Sequence, residues 1–325
     1  MITVTVMLAT VMQVLDTTIA NVALPHMAGS LSATQDQIDW VLTSYIVASA
    51  IVTPTTGWLT ARFGRRRIFL VSLVGFTVAS LFCGLADSLV EMVLFRLIQG
   101  LFGAALVPLS QATMLDTYPS SERARAMAIW GMGVTVGPIL GPTLGGYLTD
   151  YYNWRWVFYI NLPVGIVAVL GILAFVPDSE RRAARRLHWL GLAFLSLGIA
   201  ALQIMLDRGE QKGWFQSTEI RVEAALFLFG LYMFVVHSAT TKRPFLDPAM
   251  FRDRPFVLSL LIAIAIGVVF NGSMVLTPQL LQTELNYPVV TAGLVMGPRG
   301  FGTIAAMVLY GRLSNRVDAR PLVAV

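Results

Sequence analysis

Apolar residues in this chain run in blocks of about twenty, separated by short stretches where the charged residues gather. Ten such blocks cover residues 2–24, 38–60, 68–86, 88–113, 124–148, 156–176, 187–206, 220–238, 255–281 and 289–310. An α-helix rises 1.5 Å per residue, so ~20 residues cross a hydrocarbon core of ~30 Å. Inside lipid every backbone N–H and C=O has to pair within its own segment, which selects helix. The pattern therefore predicts an all-α polytopic membrane protein of about ten transmembrane helices. Glycine and proline inside the blocks do not veto this reading, because neighbouring helices can satisfy the freed backbone groups.

Composition strengthens the picture. Of 325 residues, 56% are hydrophobic and 13% charged, where a soluble domain carries roughly a quarter charged. A net charge of +5 raises the question of nucleic acid, but the basic residues cluster by loop, as membrane topology requires. With the N-terminus on the cytoplasmic side, 17 of the 23 Lys and Arg residues fall in cytoplasmic loops and 4 on the opposite side. The largest groups are Arg62, Arg65, Arg66 and Arg67, then Arg181, Arg182, Arg185 and Arg186, then Lys242, Arg243, Arg252 and Arg254. This bias places both ends at the cytoplasm and accounts for the net charge without calling for nucleic acid as a partner. The first block has no basic n-region, exceeds a signal h-region in length and contains Asp16, so it reads as a retained span. The single cysteine, Cys83, lies within a block and can found no disulfide framework.

Two loops look alike. Gly57 to Arg67 and Gly311 to Arg320 each place a glycine at a block end, an arginine five residues on, and further basic residues after it. As repeats they divide the chain into a six-helix bundle (1–176), two inserted helices with basic loops (177–254) and the first two helices of a second bundle (255–325). The last residues, Arg320 to Val325, read as the start of another helix, so a C-terminal truncation is expected.

Within the blocks a few residues carry chemistry. Gln13, Asp16, Thr17 and Asn21 recur at three- and four-residue spacing and share one face of the first helix. Asp16 lies ~22 Å along that helix, deep in the bilayer, where a carboxylate costs ~2.5–3.5 kcal/mol on insertion scales. It is a candidate proton carrier; the alternative is an aspartate fixed structurally by neighbouring helices. Arg96 lies two turns into the fourth block. Either it snorkels to the outer boundary or it acts as a fixed charge biasing protonation of a nearby carboxylate. In the fifth block Gly133, Gly137, Gly141 and Gly145 recur every four residues, with Pro138 and Pro142 after two of them. Glycines four apart let another helix approach closely, and prolines bend a helix; the stripe serves either tight packing or a rocking contact. Trp154 and Trp156 are explained by anchoring at the outer interface. Gly57, Gly64, Arg62, Arg65 and Arg66 form a basic turn, read either as inside-positive charge or as part of a gate.

His26, His188 and His237 are far apart, no Cys/His cluster occurs, and no GxxxxGK[ST] phosphate loop is present. No metal or other cofactor is called for, ATP is not the energy source expected, and an ion gradient remains.

These motifs together resemble the major facilitator superfamily, and within it the fourteen-helix drug:proton antiporters of the EmrB/QacA type. Leu15 to Pro25 is similar to that group's first-helix motif, Arg96-xx-Gln99-Gly100 to its fourth-helix motif, and Gly137 to Gly146 to its fifth-helix antiporter motif. Trp154 to Pro163 extends the likeness, and Ala201 to Gly209 with Trp214-Phe215 is similar to the EmrB branch. The resemblance covers the whole chain. It implies a major facilitator fold, here ten of fourteen helices, in the bacterial inner membrane. It implies no enzymatic activity, protons and lipophilic compounds as the transported species, and a periplasmic adaptor with an outer-membrane channel. Asp16 and Arg96 would couple protons, and Gln13, Asn21, Gln99, Asn271, Gln279 and Arg299 would line the substrate path. One departure stands out: Ala61, and Asn315 in the second copy, occupy a position usually acidic, which puts the loop's charge relay in doubt. The rival readings are a proton-linked uptake carrier for a polar solute and a non-transporting receptor or scaffold.

Overall fold

The computed structural model describes residues 1–178, 188–241 and 248–287, with isolated helical positions at 295, 298, 302–303 and 305–309. Among the described residues, eight helices are long and apolar enough to cross a membrane: α1 (Ile2–Ser30), α2 (Asp36–Phe63), α3 (Arg65–Leu85), α4 (Leu89–Thr117), α5 (Arg123–Tyr151), α6 (Trp156–Phe175), α7 (Trp189–Arg208) and α8 (Thr218–Thr240). The ninth block forms α9 (Arg254–Gln279). Most of the tenth block lies outside the described residues, as do Arg181, Arg182, Arg185, Arg186, Lys242 and Arg243.

The surface of the bundle is apolar. On α3, Val71, Val74, Val78, Phe82 and Leu85 are exposed while Phe69, Phe76, Ser80 and Cys83 are buried. In water such a patch would be a liability; facing acyl chains it is the expected surface of a membrane protein.

Among the described residues three helices are interrupted beside a proline, and α2 has a further turn at Asp39 with no proline nearby. Pro54 lies in a 3₁₀ turn, Thr53–Thr55, inside α2. In α4 the helix stops at Gly103 and resumes at Leu106, because the ring of Pro108 meets the carbonyl four residues earlier. In α6 the break at Ile160 has the same relation to Pro163. By contrast, α5 runs unbroken from Arg123 to Tyr151 through both Pro138 and Pro142.

Packing follows small residues. The four glycines of α5 face α1: a Cβ on Gly137 would lie 2.6 Å from Val14 and 3.3 Å from the Leu15 backbone nitrogen, and one on Gly145 would lie 3.2 Å from the Ile19 carbonyl oxygen. Thr18 Oγ1 donates across this seam to the Gly137 carbonyl at 3.3 Å. Gly146, off the stripe, has open space around it. Gly137→Val is therefore expected to lower stability by ~1–3 kcal/mol through overpacking, whereas Gly146→Val leaves it nearly unchanged; thermal melting in detergent separates the two. Equal losses would remove the stripe's packing role. In the same manner Gly198 of α7 meets Gly230 of α8, where an added Cβ would sit 2.7 Å from the Gly198 nitrogen.

Helix α7 docks on α2 through polar groups. Thr43 donates to Asp207, Gln211 Nε2 donates to Asp39 at 2.8 Å, and the Arg208 guanidinium lies 5.4 Å from the Trp40 ring while pairing with Glu219 of α8.

Two apolar clusters fill the six-helix region. One holds Met12, Phe76, Leu106 and Ala168; the other holds Ile19, Cys83, Met92 and Phe158. On α1, α3, α4 and α6 the boundary between them falls at Asp16, Ser80, Arg96–Gln99 and Asn161. Those polar residues meet in the layer between the clusters.

Candidate functional site: a buried ion pair at the middle of the bundle

Asp16 is near the midpoint of the 29-residue helix α1, about 21 Å from either end at 1.5 Å per residue. Its side chain is fully buried, as are those of Arg96 and Gln99. Arg96 Nη1 donates to Asp16 Oδ2 at 2.6 Å and to Gln99 Oε1 at 2.7 Å. Gln99 Nε2 donates to Asp16 Oδ1 at 2.9 Å, and Asn161 Nδ2 donates to the same oxygen at 2.6 Å. Three donors from two helices thus converge on one carboxylate carried by a third.

Arg96 has further support. Its Nε donates to the Val41 carbonyl at 3.1 Å, and its guanidinium lies 4.5 Å from the Tyr45 ring and 5.6 Å from Phe158. Nη2 has no hydrogen-bond partner among the described residues. Gly100 makes the approach of α2 possible: an added Cβ would collide with the Tyr45 carbonyl and lie 3.0 Å from Ala48. Within Arg96-xx-Gln99-Gly100, two residues reach the carboxylate and the third lets α2 close over them.

The snorkelling reading of Arg96 is overturned. A fully buried guanidinium with an aspartate, a glutamine and a carbonyl as partners has no need of the boundary. The energetics favour a functional reason for the pair. Removing each ion from water costs several kcal/mol, and well-packed apolar replacements are often neutral or stabilising by ~1–4 kcal/mol. A bundle needing only cohesion would not require these charges.

The other expected residues fall in different places. Gln99, expected on the substrate wall, is enclosed beside Asp16, because its position three residues after Arg96 turns it to the same face. Asn21 is exposed, with its amide donating to the Thr17 carbonyl at 3.1 Å. Gln13 is partly buried within reach of Tyr45. Asn271 and Gln279 lie along α9, and Arg299 lies outside the described residues.

In the basic turn, Gly64 closes the α2–α3 corner with φ 87° and ψ 145°, a conformation open in practice to glycine alone. Gly64→Ala is expected to cost ~1–3 kcal/mol; an unchanged melting temperature would contradict the strain. Gly57 has open space around it. Arg65 pairs with Asp116 at the end of α4 at 2.5 Å, and Arg66 pairs with Asp178 after α6 at 3.1 Å. Arg66 Nη2 also donates to the Leu173 carbonyl at 2.6 Å. Arg62 stacks 5.4 Å from Trp58. The acidic partners absent at Ala61 are thus supplied by the far ends of other helices.

At the opposite end Trp154 is buried and Trp156 exposed, so interface anchoring is open to Trp156 alone. Arg155 between them caps the end of α3, donating to the Gly84 carbonyl at 2.9 Å, the Ala86 carbonyl at 2.6 Å and Asp87 at 2.9 Å. The α7–α8 hairpin also brings His188 and His237 together, ring centroids 5.9 Å apart.

The model of the family described as Major Facilitator Superfamily matches residues 6–325. Multidrug export protein EmrB of Escherichia coli (strain K12) is 42% identical over 322 residues, covering 99% of this chain and 63% of that protein. Fatty acid resistance protein FarB of Neisseria gonorrhoeae is 40% identical over 324 residues, covering 99% and 64%. The chain therefore spans a little under two thirds of the length of these relatives. Among solved structures, the proton:xylose symporter XylE bound to 6-bromo-6-deoxy-D-glucose superposes with a TM-score of 0.67 at 15% identity, over 98% of this chain and 70% of that one. That likeness concerns the fold alone.

Proposed function

This chain belongs to the Major Facilitator Superfamily, and from that membership we propose that the protein exports hydrophobic, often cationic, compounds in exchange for protons. The observation that carries the reading is the ion pair between Asp16 and Arg96, both fully buried at mid-helix. Relatives named for multidrug export and fatty acid resistance support lipophilic substrates.

In this mechanism a proton entering from outside neutralises Asp16. Arg96 stays charged, but the Val41 carbonyl, Gln99 Oε1 and the Tyr45 ring already hold it. Losing its anion frees the guanidinium to shift among these partners instead of stranding it. Loss of the proton inside, as drug loads, restores the pair. Gln13 and Asn21 of α1, with Asn271, Gln279 and Arg299, belong to the substrate path, and Gln99 to the coupling site. The Gly64 corner with Arg62, Arg65 and Arg66 closes the cytoplasmic ends of α4 and α6 in one half of the cycle, and the α1–α5 glycine seam with Pro138 and Pro142 is where helices slide.

The same reading divides the chain into a six-helix bundle (1–176), an inserted pair (177–254) and the opening of a second bundle (255–325). It places the N-terminus in the cytoplasm of a bacterial inner membrane, with a periplasmic adaptor and outer-membrane channel beyond. The test uses the full-length protein in proteoliposomes with an imposed pH gradient and ethidium as probe. Ethidium moving against the proton, and stopping when a protonophore is added, is the expected result. Movement indifferent to the gradient, or in the proton's own direction, would refute the exchange.

A further inference from the structure

Asn161 is the donor to Asp16 that comes neither from Arg96 nor from its helix. It is 2% exposed and opens the second segment of α6, directly after the break at Ile160. Its Nδ2 carries two protons, and both have acceptors: Asp16 Oδ1 at 2.6 Å and Ser80 Oγ at 2.9 Å. Ser80, fully buried on α3, donates its own single proton to the Phe158 carbonyl at 2.9 Å. A hydroxyl whose proton is committed can only accept from its remaining neighbours. Ser80 therefore fixes which end of the Asn161 amide faces inward: nitrogen towards Asp16, oxygen away. With the amide locked this way, Asn161 can donate to the carboxyl and cannot accept from it.

We propose that Asn161, oriented by Ser80, is a positioning residue for the Asp16 carboxyl: it holds Oδ1 with a one-way donor while Arg96 holds Oδ2, and so sets how readily drug displaces the proton. The proposal rests on Asp16 being the proton carrier. Donation to a carboxylate favours its ionised form, and a locked donor gives no compensating bond to the acid. The charged and titratable groups facing Asp16 from the helices around it are Arg96 of α4, Tyr45 of α2 and Cys83 of α3; α6 contributes Asn161 and the Phe158 ring, neither of which titrates.

The test compares Asn161→Leu and Ser80→Ala with wild type in the full-length protein, measuring ethidium efflux in proteoliposomes across pH and ethidium affinity at alkaline pH. Asn161→Leu keeps the volume and removes the donor; it is expected to move the pH profile of efflux alkaline by roughly one pH unit with affinity unchanged. Ser80→Ala keeps the donor but frees the amide to turn, and should move the profile the same way by less. Asn161→Gln, which can restore a donor, should return part of the shift. Efflux lowered by a constant factor at every pH, with the profile in place, would overturn the proposal and leave Asn161 a packing residue. If Asn161→Leu does not fold, the Ser80→Ala profile decides by itself, an unmoved profile counting against the proposal. If Asp16→Asn in the same assay keeps its coupling, the failure belongs to the proton-carrier reading; if it loses coupling and the Asn161 profile is unmoved, the failure belongs to Asn161.

Discussion

Asp16→Asn in the full-length protein is expected to reduce proton-driven ethidium efflux by about 100-fold, the lower end for loss of an essential proton-transfer group. The substitution preserves shape and removes the carboxyl that carries the exchanged proton in the proposed mechanism. It also mismatches the site. The carboxylate accepts from Arg96, Gln99 and Asn161; an amide offers one oxygen and sets its own donor against one of the others. A loss of stability of ~1–3 kcal/mol should accompany the loss of transport, the cost of an unsatisfied buried polar group. Passive ethidium binding should survive, because the site lies inside the six-helix region and away from exposed Asn21. Full coupling in this variant would remove Asp16 from the mechanism.

The second large effect concerns the charge balance of the layer. Arg96→Met leaves a carboxylate enclosed between two apolar clusters with only amide donors, and should cost ~3–5 kcal/mol of stability, as breaking a buried pair does. Adding Asp16→Leu removes the stranded charge. The double variant should recover to within ~1 kcal/mol of wild type or exceed it, yet show no proton-driven efflux. Unfolding in a denaturing detergent, read by tryptophan fluorescence, measures the recovery. Should the double variant be as unstable as the single one, the pair would be a structural requirement of the bundle, and the energetic argument for a functional role would fall.

Both effects rest on residues legible in the sequence, and the reason is physical. A charge within an apolar block of twenty has to be explained, so Asp16 and Arg96 stand out without any structure. The Gly133–Gly145 spacing likewise encodes its own contact, since only a close helix rewards four glycines on one face. Where the structure differs from the sequence-based expectation, the chain carries no signal for the difference. Lipid-facing and protein-facing surfaces are equally apolar, so hydropathy cannot tell that Trp154 turns inward while Trp156 turns out, or that Gln99 is enclosed. Asn161 and Ser80 are ordinary polar residues, separated from Asp16 by 145 and 64 positions in the chain; only packing of α1, α3 and α6 brings them together. The breaks at Thr53–Thr55 in α2, in α4 and in α6 go with Pro54, Pro108 and Pro163, while α5 stays helical through two prolines that each omit a rung of the ladder, so proline marks where a helix can break without dictating that it does.

The supply of partners to the basic turn shows a related limit. Ala61 gives Arg65 and Arg66 no acidic neighbour within the turn. Asp116 and Asp178, at the ends of α4 and α6, provide them. These are pairs between helix ends, with the acids largely exposed, and each contributes at most ~1 kcal/mol. Weak contacts fit the proposed gate, which has to open and close, better than they fit a permanent clasp.

The central claim, that Asp16 is the group whose proton exchanges for drug, is tested most directly by proton release on drug binding. Purified full-length protein in weakly buffered detergent, mixed with ethidium while a pH dye is monitored, should release protons with wild type and release none with Asp16→Asn at the same ethidium occupancy. Equal release from the two proteins would contradict the account.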